Sequence, residues 1–128
     1  MKSLLTRLIA SSGLVLAACA AVPIAAQAHA TLVKCTVAPG AMLAATPKTI
    51  SCTFAEGVNP KGSFIGVFQA TGDKGEVDRQ NSALSFSNVK QLTVGLPKLA
   101  KGSYNLIWFT ISADDGHRAA GNLNFTIK

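Results

Sequence analysis

The sequence predicts an all-β domain, an antiparallel Ig-like, Greek-key β-sandwich or barrel of seven to eight strands. Short segments of alternating apolar and polar residues recur along it, and clusters of Gly, Pro, Asn and Asp separate them. In residues 29 to 128, helical periodicity does not extend beyond a turn or two. The predicted strands lie near residues 31 to 37, 48 to 55, 63 to 70, 76 to 79, 83 to 87, 91 to 95, 103 to 112 and 120 to 127.

Length and composition limit the number of domains and the classes of function that the chain can have. With 128 residues, of which 48% are hydrophobic and 14% charged, the chain is long enough for one ordinary domain and too short for two. Residues 29 to 128 hold ten basic and six acidic residues, a formal charge of +4. The basic residues are scattered singly without interleaved aromatics, so nucleic acid binding is not expected. Tyr104, Trp108 and the six Phe are expected to form the bulk of the core.

The first 28 residues read as a cleaved secretory signal, which leaves residues 29 to 128 as the mature domain. Lys2 and Arg7 precede an apolar run from residue 8 to residue 22, and Ala-Gln-Ala stands before the cut at His29. A membrane anchor is the weaker alternative, because Ser, Gly and Pro interrupt a run that is already short. Residues 16 to 19 also resemble a bacterial lipobox, and cleavage there would anchor the protein by a lipid on Cys19.

The mature domain keeps an even pair of cysteines, Cys35 and Cys52, which favours an oxidising compartment and a disulfide. Both fall on the apolar faces of predicted strands, which indicates a disulfide in the core. Two alternatives stay open at this stage. The sulfurs could be thiolate metal ligands, although close Cys pairs are the usual sign of such sites, or they could be buried free thiols.

The chain has two histidines, and both occupy positions that suit metal binding. At the start of the mature chain, the α-amine and Nδ1 of His29 can chelate one ion in a six-membered ring without deprotonating an amide. His117 follows Asp115 by two positions in a polar loop, so in an extended segment their side chains would point the same way. Such a nitrogen-rich set with one or two oxygens suits one Cu(II) ion. Glu56 follows a predicted strand and could add a carboxylate.

Motifs distributed over essentially the entire mature chain resemble the CopC copper-resistance domain. The opening His-Ala-x-Leu and the closing Ser-x-Asp-Asp-Gly-His are the most specific of them. The matching positions are 29 to 32, 39 to 41, 47 to 54, Glu56, 102 to 104, Trp108, Ser112, 115 to 117, Gly121 and Phe125. The resemblance implies a periplasmic, cupredoxin-like barrel or sandwich that binds Cu(II) through His29, Asp115 and His117, with Glu56 nearby.

Some positions depart from the pattern of that family. Met42 is the only methionine of the mature chain, so the Met-rich Cu(I) site of some CopC proteins is not expected. Cys35 and Cys52 stand where serine or apolar residues are usual, and Val37 and Arg118 stand where proline is usual. The two proline replacements bear on loop rigidity and leave the proposed ligands unchanged.

Three functional classes follow from these observations. The leading one is a monomeric, non-enzymatic periplasmic Cu(II) carrier or buffer that passes copper to an inner-membrane transporter resembling CopD. A histidine-brace copper mono-oxygenase is the second, but the chain is short for a sugar-binding face, and Asp115 would fill coordination space that oxygen needs. A metal-free Ig-like structural domain is the third.

Overall fold

Eight strands form in residues 30 to 128, the part of the chain that the computed structural model describes. The predicted signal segment, Cys19 and His29 lie outside these residues. The strands are β1 (Leu32–Cys35), β2 (Ala41–Leu43), β3 (Thr49–Phe54), β4 (Phe64–Gln69), β5 (Ala83–Ser85), β6 (Asn88–Gly95), β7 (Gly102–Ile111) and β8 (Arg118–Ile127). Within this part of the chain, no helix is long and apolar enough to cross a membrane.

The strands build two four-stranded sheets with the orders β1-β3-β6-β5 and β2-β8-β7-β4. The chain alternates between the sheets from β1 to β5, whereas β5–β6 and β7–β8 are hairpins within one sheet, an arrangement that fits the predicted Ig-like sandwich. All paired strands are antiparallel except β2, which runs parallel to β8. The all-β prediction is therefore confirmed, with one parallel pair that was not expected.

Two local elements differ from the prediction, and in both cases contacts with other parts of the chain are the reason. The three residues of β2 carry no readable alternation and become a strand because they pair with residues 125 to 127. The predicted strand at 76 to 79 is reduced to a bridge between Phe68 and Glu76. There the Asp78 carboxylate accepts hydrogen bonds from the backbone N–H groups of Val67 (2.8 Å) and Gln80 (2.6 Å), so a side chain replaces a strand partner.

The core lies between the two sheets, but the aromatic residues contribute to it unequally. Phe54, Tyr104 and Phe125 are buried, whereas Phe64 and Phe86 are exposed. The remaining aromatics, Trp108 among them, are half-buried. The expectation that all the aromatics form the bulk of the core is thus wrong in part. Trp108 covers Gly121 on the neighbouring strand, where a Cβ atom would overlap the indole ring.

Tyr104 fixes the chain where β7 begins. Its hydroxyl donates a hydrogen bond to the carbonyl of Ala100 at 2.7 Å, and its ring stacks on Phe125 with centroids 5.6 Å apart. This arrangement is the tyrosine corner of Ig-like domains, which closes the loop that leads into this strand. It anchors one end of β7, and the opposite end of that strand leads into the polar loop with Asp115 and His117.

Cys35 and Cys52 form a disulfide that joins the edge strand β1 to β3, where the two residues are direct cross-strand partners. Cys52 is fully buried and Cys35 is half-buried. The predicted pairing is confirmed, and the bond takes both sulfurs out of consideration as thiolate metal ligands.

Replacing both cysteines by alanine is expected to lower the free energy of unfolding by about 3 kcal/mol, because the bond closes a loop of 17 residues in the unfolded chain. Denaturant unfolding under oxidising conditions measures the loss. Val33→Ala is the matched control, since this exposed residue lies on the same strand and should change stability little. Equal stability of the double variant and the wild type would contradict the prediction.

Candidate metal site

The loop between β7 and β8 is held in one shape by its own backbone. The N–H of Ser112 donates to the carbonyl of His117 at 2.8 Å, and the N–H of Gly116 donates to the carbonyl of Ser112 at 3.0 Å. Gly116 adopts a φ of 72°, in the left-handed region that favours glycine. The loop therefore presents Asp115 and His117 from the end of a long two-stranded hairpin.

Within this loop, Asp115 holds the imidazole of His117. Its Oδ2 lies 2.6 Å from Nδ1 of the ring, and its Oδ1 accepts the backbone N–H of His117 at 3.0 Å. The segment is a turn and not extended, so the two side chains meet through this local hydrogen bonding and not through strand alternation. Once the proton between Nδ1 and Oδ2 is lost, these two atoms are close enough to bind one metal ion together.

The Asp115 carboxylate is ionised over a wider pH range than an ordinary aspartate. The hydrogen bond from the backbone N–H of His117 is the main cause that lowers its pKa, and the contacts with the His117 ring and with Ser112 act in the same direction. The side chains of Asp115 and His117 are 32% and 57% exposed, so both are accessible to an ion from solvent.

Ser112 links Glu56 to the same loop. Its Oγ donates to Oε2 of Glu56 at 3.3 Å and accepts the N–H of Asp114 at 3.3 Å. Ser112 is 1% exposed and Glu56 is half-buried, so this contact is largely shielded from water. The linking role of Ser112 was not predicted, although the Ser-x-Asp spacing is a common signal for a hydroxyl that bonds a backbone N–H two residues on.

The chain enters the sandwich at this same end. Ala30 is fully buried, and its carbonyl accepts a hydrogen bond from the Thr110 hydroxyl at 2.8 Å, two positions before Ser112. The carbonyl of Thr31 accepts the N–H of Ala55, next to Glu56, at 2.8 Å. The residue that follows His29 in the sequence is therefore held between the strand ends that carry Glu56 and Ser112.

Between residues 30 and 128, no three side chains of His, Cys, Asp and Glu converge closely enough to hold a metal ion by themselves. Asp115 and His117 supply one imidazole and one carboxylate side by side, and a third donor has to come from elsewhere. His29 lies outside the described residues, so its part in the site stays a prediction. Met42 lies on β2 with its side chain exposed.

These features define an Ig-like β-sandwich that carries an imidazole–carboxylate pair at one end. Residues 32–128 match the CopC domain, and the chain belongs to the CopC family. It is 34% identical over 103 residues to Protein YobA of Escherichia coli strain K12, an alignment that covers 79% of this chain and 80% of that protein. The family resemblance predicted from the motifs is confirmed.

Solved structures agree with this assignment. The crystal structure of CopC from Methylosinus trichosporium OB3b matches with a TM-score of 0.69 and 30% identity, covering 77% of this chain and 92% of that one. PcoC of Escherichia coli, a methionine-rich copper resistance protein, matches with a TM-score of 0.66 over 79% of this chain and 100% of that one. At 24% identity, PcoC shows the shared fold alone.

Proposed function

We propose that this protein binds one Cu(II) ion and serves as a periplasmic carrier or buffer in copper resistance and homeostasis. Membership of the CopC family supports a role in copper resistance. The observation that carries the proposal for this chain is the Asp115–His117 pair, held accessible at the end of the sandwich where the mature chain begins. Signal cleavage before His29 is part of the proposal.

Four donors are proposed for the ion. The α-amine and Nδ1 of His29 form the chelate, one ring nitrogen of His117 adds a third nitrogen, and the Asp115 carboxylate completes the set. Nδ1 of His117 and Oδ2 of Asp115 lie 2.6 Å apart, so the ion would bind both atoms in place of the hydrogen bond between them. The anchoring of Ala30 supports this arrangement, because the residue to which His29 is bonded is held on Thr110, near the start of the loop that carries His117. Glu56 is assigned to the surroundings of the ion, since its contact with the loop runs through Ser112.

The chemistry of this donor set favours Cu(II). Three nitrogens and a carboxylate oxygen suit the tetragonal preference of Cu(II), and the ionised Asp115 offsets part of the charge of the ion. Cu(I) prefers thiolate and thioether sulfur. The mature chain provides Met42 and a disulfide in place of such a site.

A carrier is favoured over an oxidative enzyme by the same residues. As a ligand, Asp115 would fill a coordination position that oxygen activation needs open, and the single Tyr is buried and so adds nothing to a sugar-binding face. We therefore propose a non-enzymatic, monomeric protein that passes copper to an inner-membrane transporter resembling CopD. The exposure of His117 suits transfer, because a partner can reach the ion directly.

The preference for Cu(II) can be tested by competition. Residues 29 to 128 loaded with Cu(II) should resist a Cu(II) chelator that is as strong as the Cu(I) chelator used after reduction. Ascorbate with a moderate Cu(I) chelator should remove the copper readily, because the proposed donors suit Cu(I) poorly. Met42→Leu is the matched control and should behave like the wild type in both assays. Retention of copper after reduction would contradict the proposed donors, and substantial peroxide or oxygen turnover would favour the mono-oxygenase.

A further inference from the structure

A cavity with a volume of about 600 Å³ opens at the end of the sandwich away from the candidate metal site. The segments that line it are the turn before β3, the segment between β4 and β5, the segment after β6, the residue before β7 and the end of β8 with the residue that follows it. We call this cavity the basic pocket, after the five cationic residues on its wall: Lys48, Arg79, Lys98, Lys101 and Lys128.

The strands place the basic pocket and the candidate metal site at opposite ends. Lys48 stands just before β3, and Glu56 follows the other end of that strand. Lys101 stands just before β7, and Ser112 follows its far end. Because β7 has ten residues, the two ends are separated by roughly 30 Å at the rise of an extended strand.

The charged side chains of the basic pocket are all cationic. Half of the ten basic residues of positions 29 to 128 line it, and its lining includes no acidic side chain. Within the described part of the chain, the one ion pair is that of Asp115 with His117, so none of the five cations has a carboxylate within 4.0 Å there. These residues are far apart in the sequence, and strand pairing brings them together. A concave surface lined by one sign of charge concentrates ions of the opposite sign.

Beneath the charges, the basic pocket has a fixed apolar floor. Leu96, Leu99 and Ile127 line it and are 4%, 7% and 5% exposed. The N–H of Leu96 donates to the carbonyl of Lys48 at 2.8 Å, and the N–H of Leu99 donates to the hydroxyl of Thr46 at 2.9 Å. These hydrogen bonds hold the floor and the wall together without a ligand, so the cavity is formed in advance.

We propose that the basic pocket binds a single-chain organic anion whose apolar body lies on this floor and whose phosphate or carboxylate group meets the cationic wall. The volume falls within the range of about 300 to 1,000 Å³ that is usual for small-molecule sites. A flat bilayer surface would reach the lysine ends and leave the buried floor without contact, so concavity favours a discrete ligand over a membrane. Charge alone would suit inorganic phosphate, but the apolar floor requires an apolar group.

The test uses n-octyl phosphate below its micelle concentration as the probe, with the mature protein labelled for NMR. Saturable shifts are expected for the amides of Lys48, Leu96, Leu99 and Lys128. Inorganic phosphate and n-octanol each lack half of the recognised chemistry, so both should bind at least tenfold more weakly. Equal affinity for inorganic phosphate, or shifts scattered over the surface, would overturn the proposal. Binding to phosphatidylglycerol vesicles without saturable binding of octyl phosphate would also overturn it.

Two double variants with the same change in net charge distinguish binding in the basic pocket from general electrostatic attraction to the protein. Lys98→Gln with Lys101→Gln should weaken octyl phosphate binding by roughly tenfold, as expected for two partly screened charges. Lys61→Gln with Lys90→Gln, exposed lysines outside the pocket, should leave it unchanged. Equal affinities of the two double variants would overturn the assignment. Asp115→Asn should not affect this binding, so the proposal stands or falls independently of the copper site.

Discussion

An extension in front of His29 is expected to weaken Cu(II) binding by more than about 100-fold. This is more than the 10- to 100-fold loss of affinity that follows when a residue that only hydrogen-bonds a metal ligand is removed. A peptide bond removes the basic lone pair of the α-amine and so breaks the chelate ring, which supplies two of the four proposed donors. Competition with a chromophoric Cu(II) chelator, on protein with and without a short N-terminal tag, measures the difference.

The same tag placed after Lys128 is the matched control, because that residue borders the basic pocket at the opposite end of the sandwich. It should leave the Cu(II) affinity unchanged. Mass spectrometry of the exported protein establishes independently whether the chain begins at His29 or carries a lipid on Cys19. Equal Cu(II) affinity of the N-terminally tagged and untagged proteins would rule out the proposed chelate.

His117→Ala should lower Cu(II) affinity by more than about 100-fold, because it removes the proposed imidazole donor. Asp115→Ala should cost less, about 10- to 100-fold, since a carboxylate is a weaker Cu(II) donor than an imidazole. Glu56→Gln should cost least, because Glu56 reaches the loop through Ser112. Chelator competition ranks the variants, and electron paramagnetic resonance counts the coordinating nitrogens.

Arg118→Ala is the matched control for this series, since Arg118 is exposed and adjoins His117. The protein should keep its fold in each case because His117 and Asp115 lie in a surface loop, and unfolding curves check this. Unchanged nitrogen coordination in His117→Ala would contradict the assignment of this residue as a ligand.

Much of the fold could be predicted from local patterns. Alternation along β3 and β8 identifies which side chains face the core, because successive side chains of a strand point to opposite faces. The pairing of Cys35 with Cys52 follows from an even count in residues 29 to 128. Strand β2 was not predicted, because three residues are too few to show an alternation of apolar and polar side chains. The segment at 76 to 79 was misassigned because the Asp78 carboxylate takes the place of a strand partner.

The candidate site, too, could be predicted from the sequence only in part. The spacing of Asp115 and His117 is local, so their proximity could be predicted even though the cause is a turn and not an extended segment. The position of Glu56 relative to Ser112 is not local, since 56 residues separate them and the contact depends on β3 and β7 ending at the same place. Residue type and spacing do not reveal that Glu56 and Ser112 lie close together in the fold.

The sequence by itself determined the class of the domain, the disulfide partners and the residue types that suit Cu(II). The tertiary structure alone decided which strand ends meet, and two results depend on that. It brought Ala30 beside Thr110 at the end that carries Asp115 and His117. It also gathered five scattered cations around one cavity at the other end. The physical reason is that burial of the apolar faces selects the strand pairing, and the pairing sets the neighbours of polar residues that have no preference of their own.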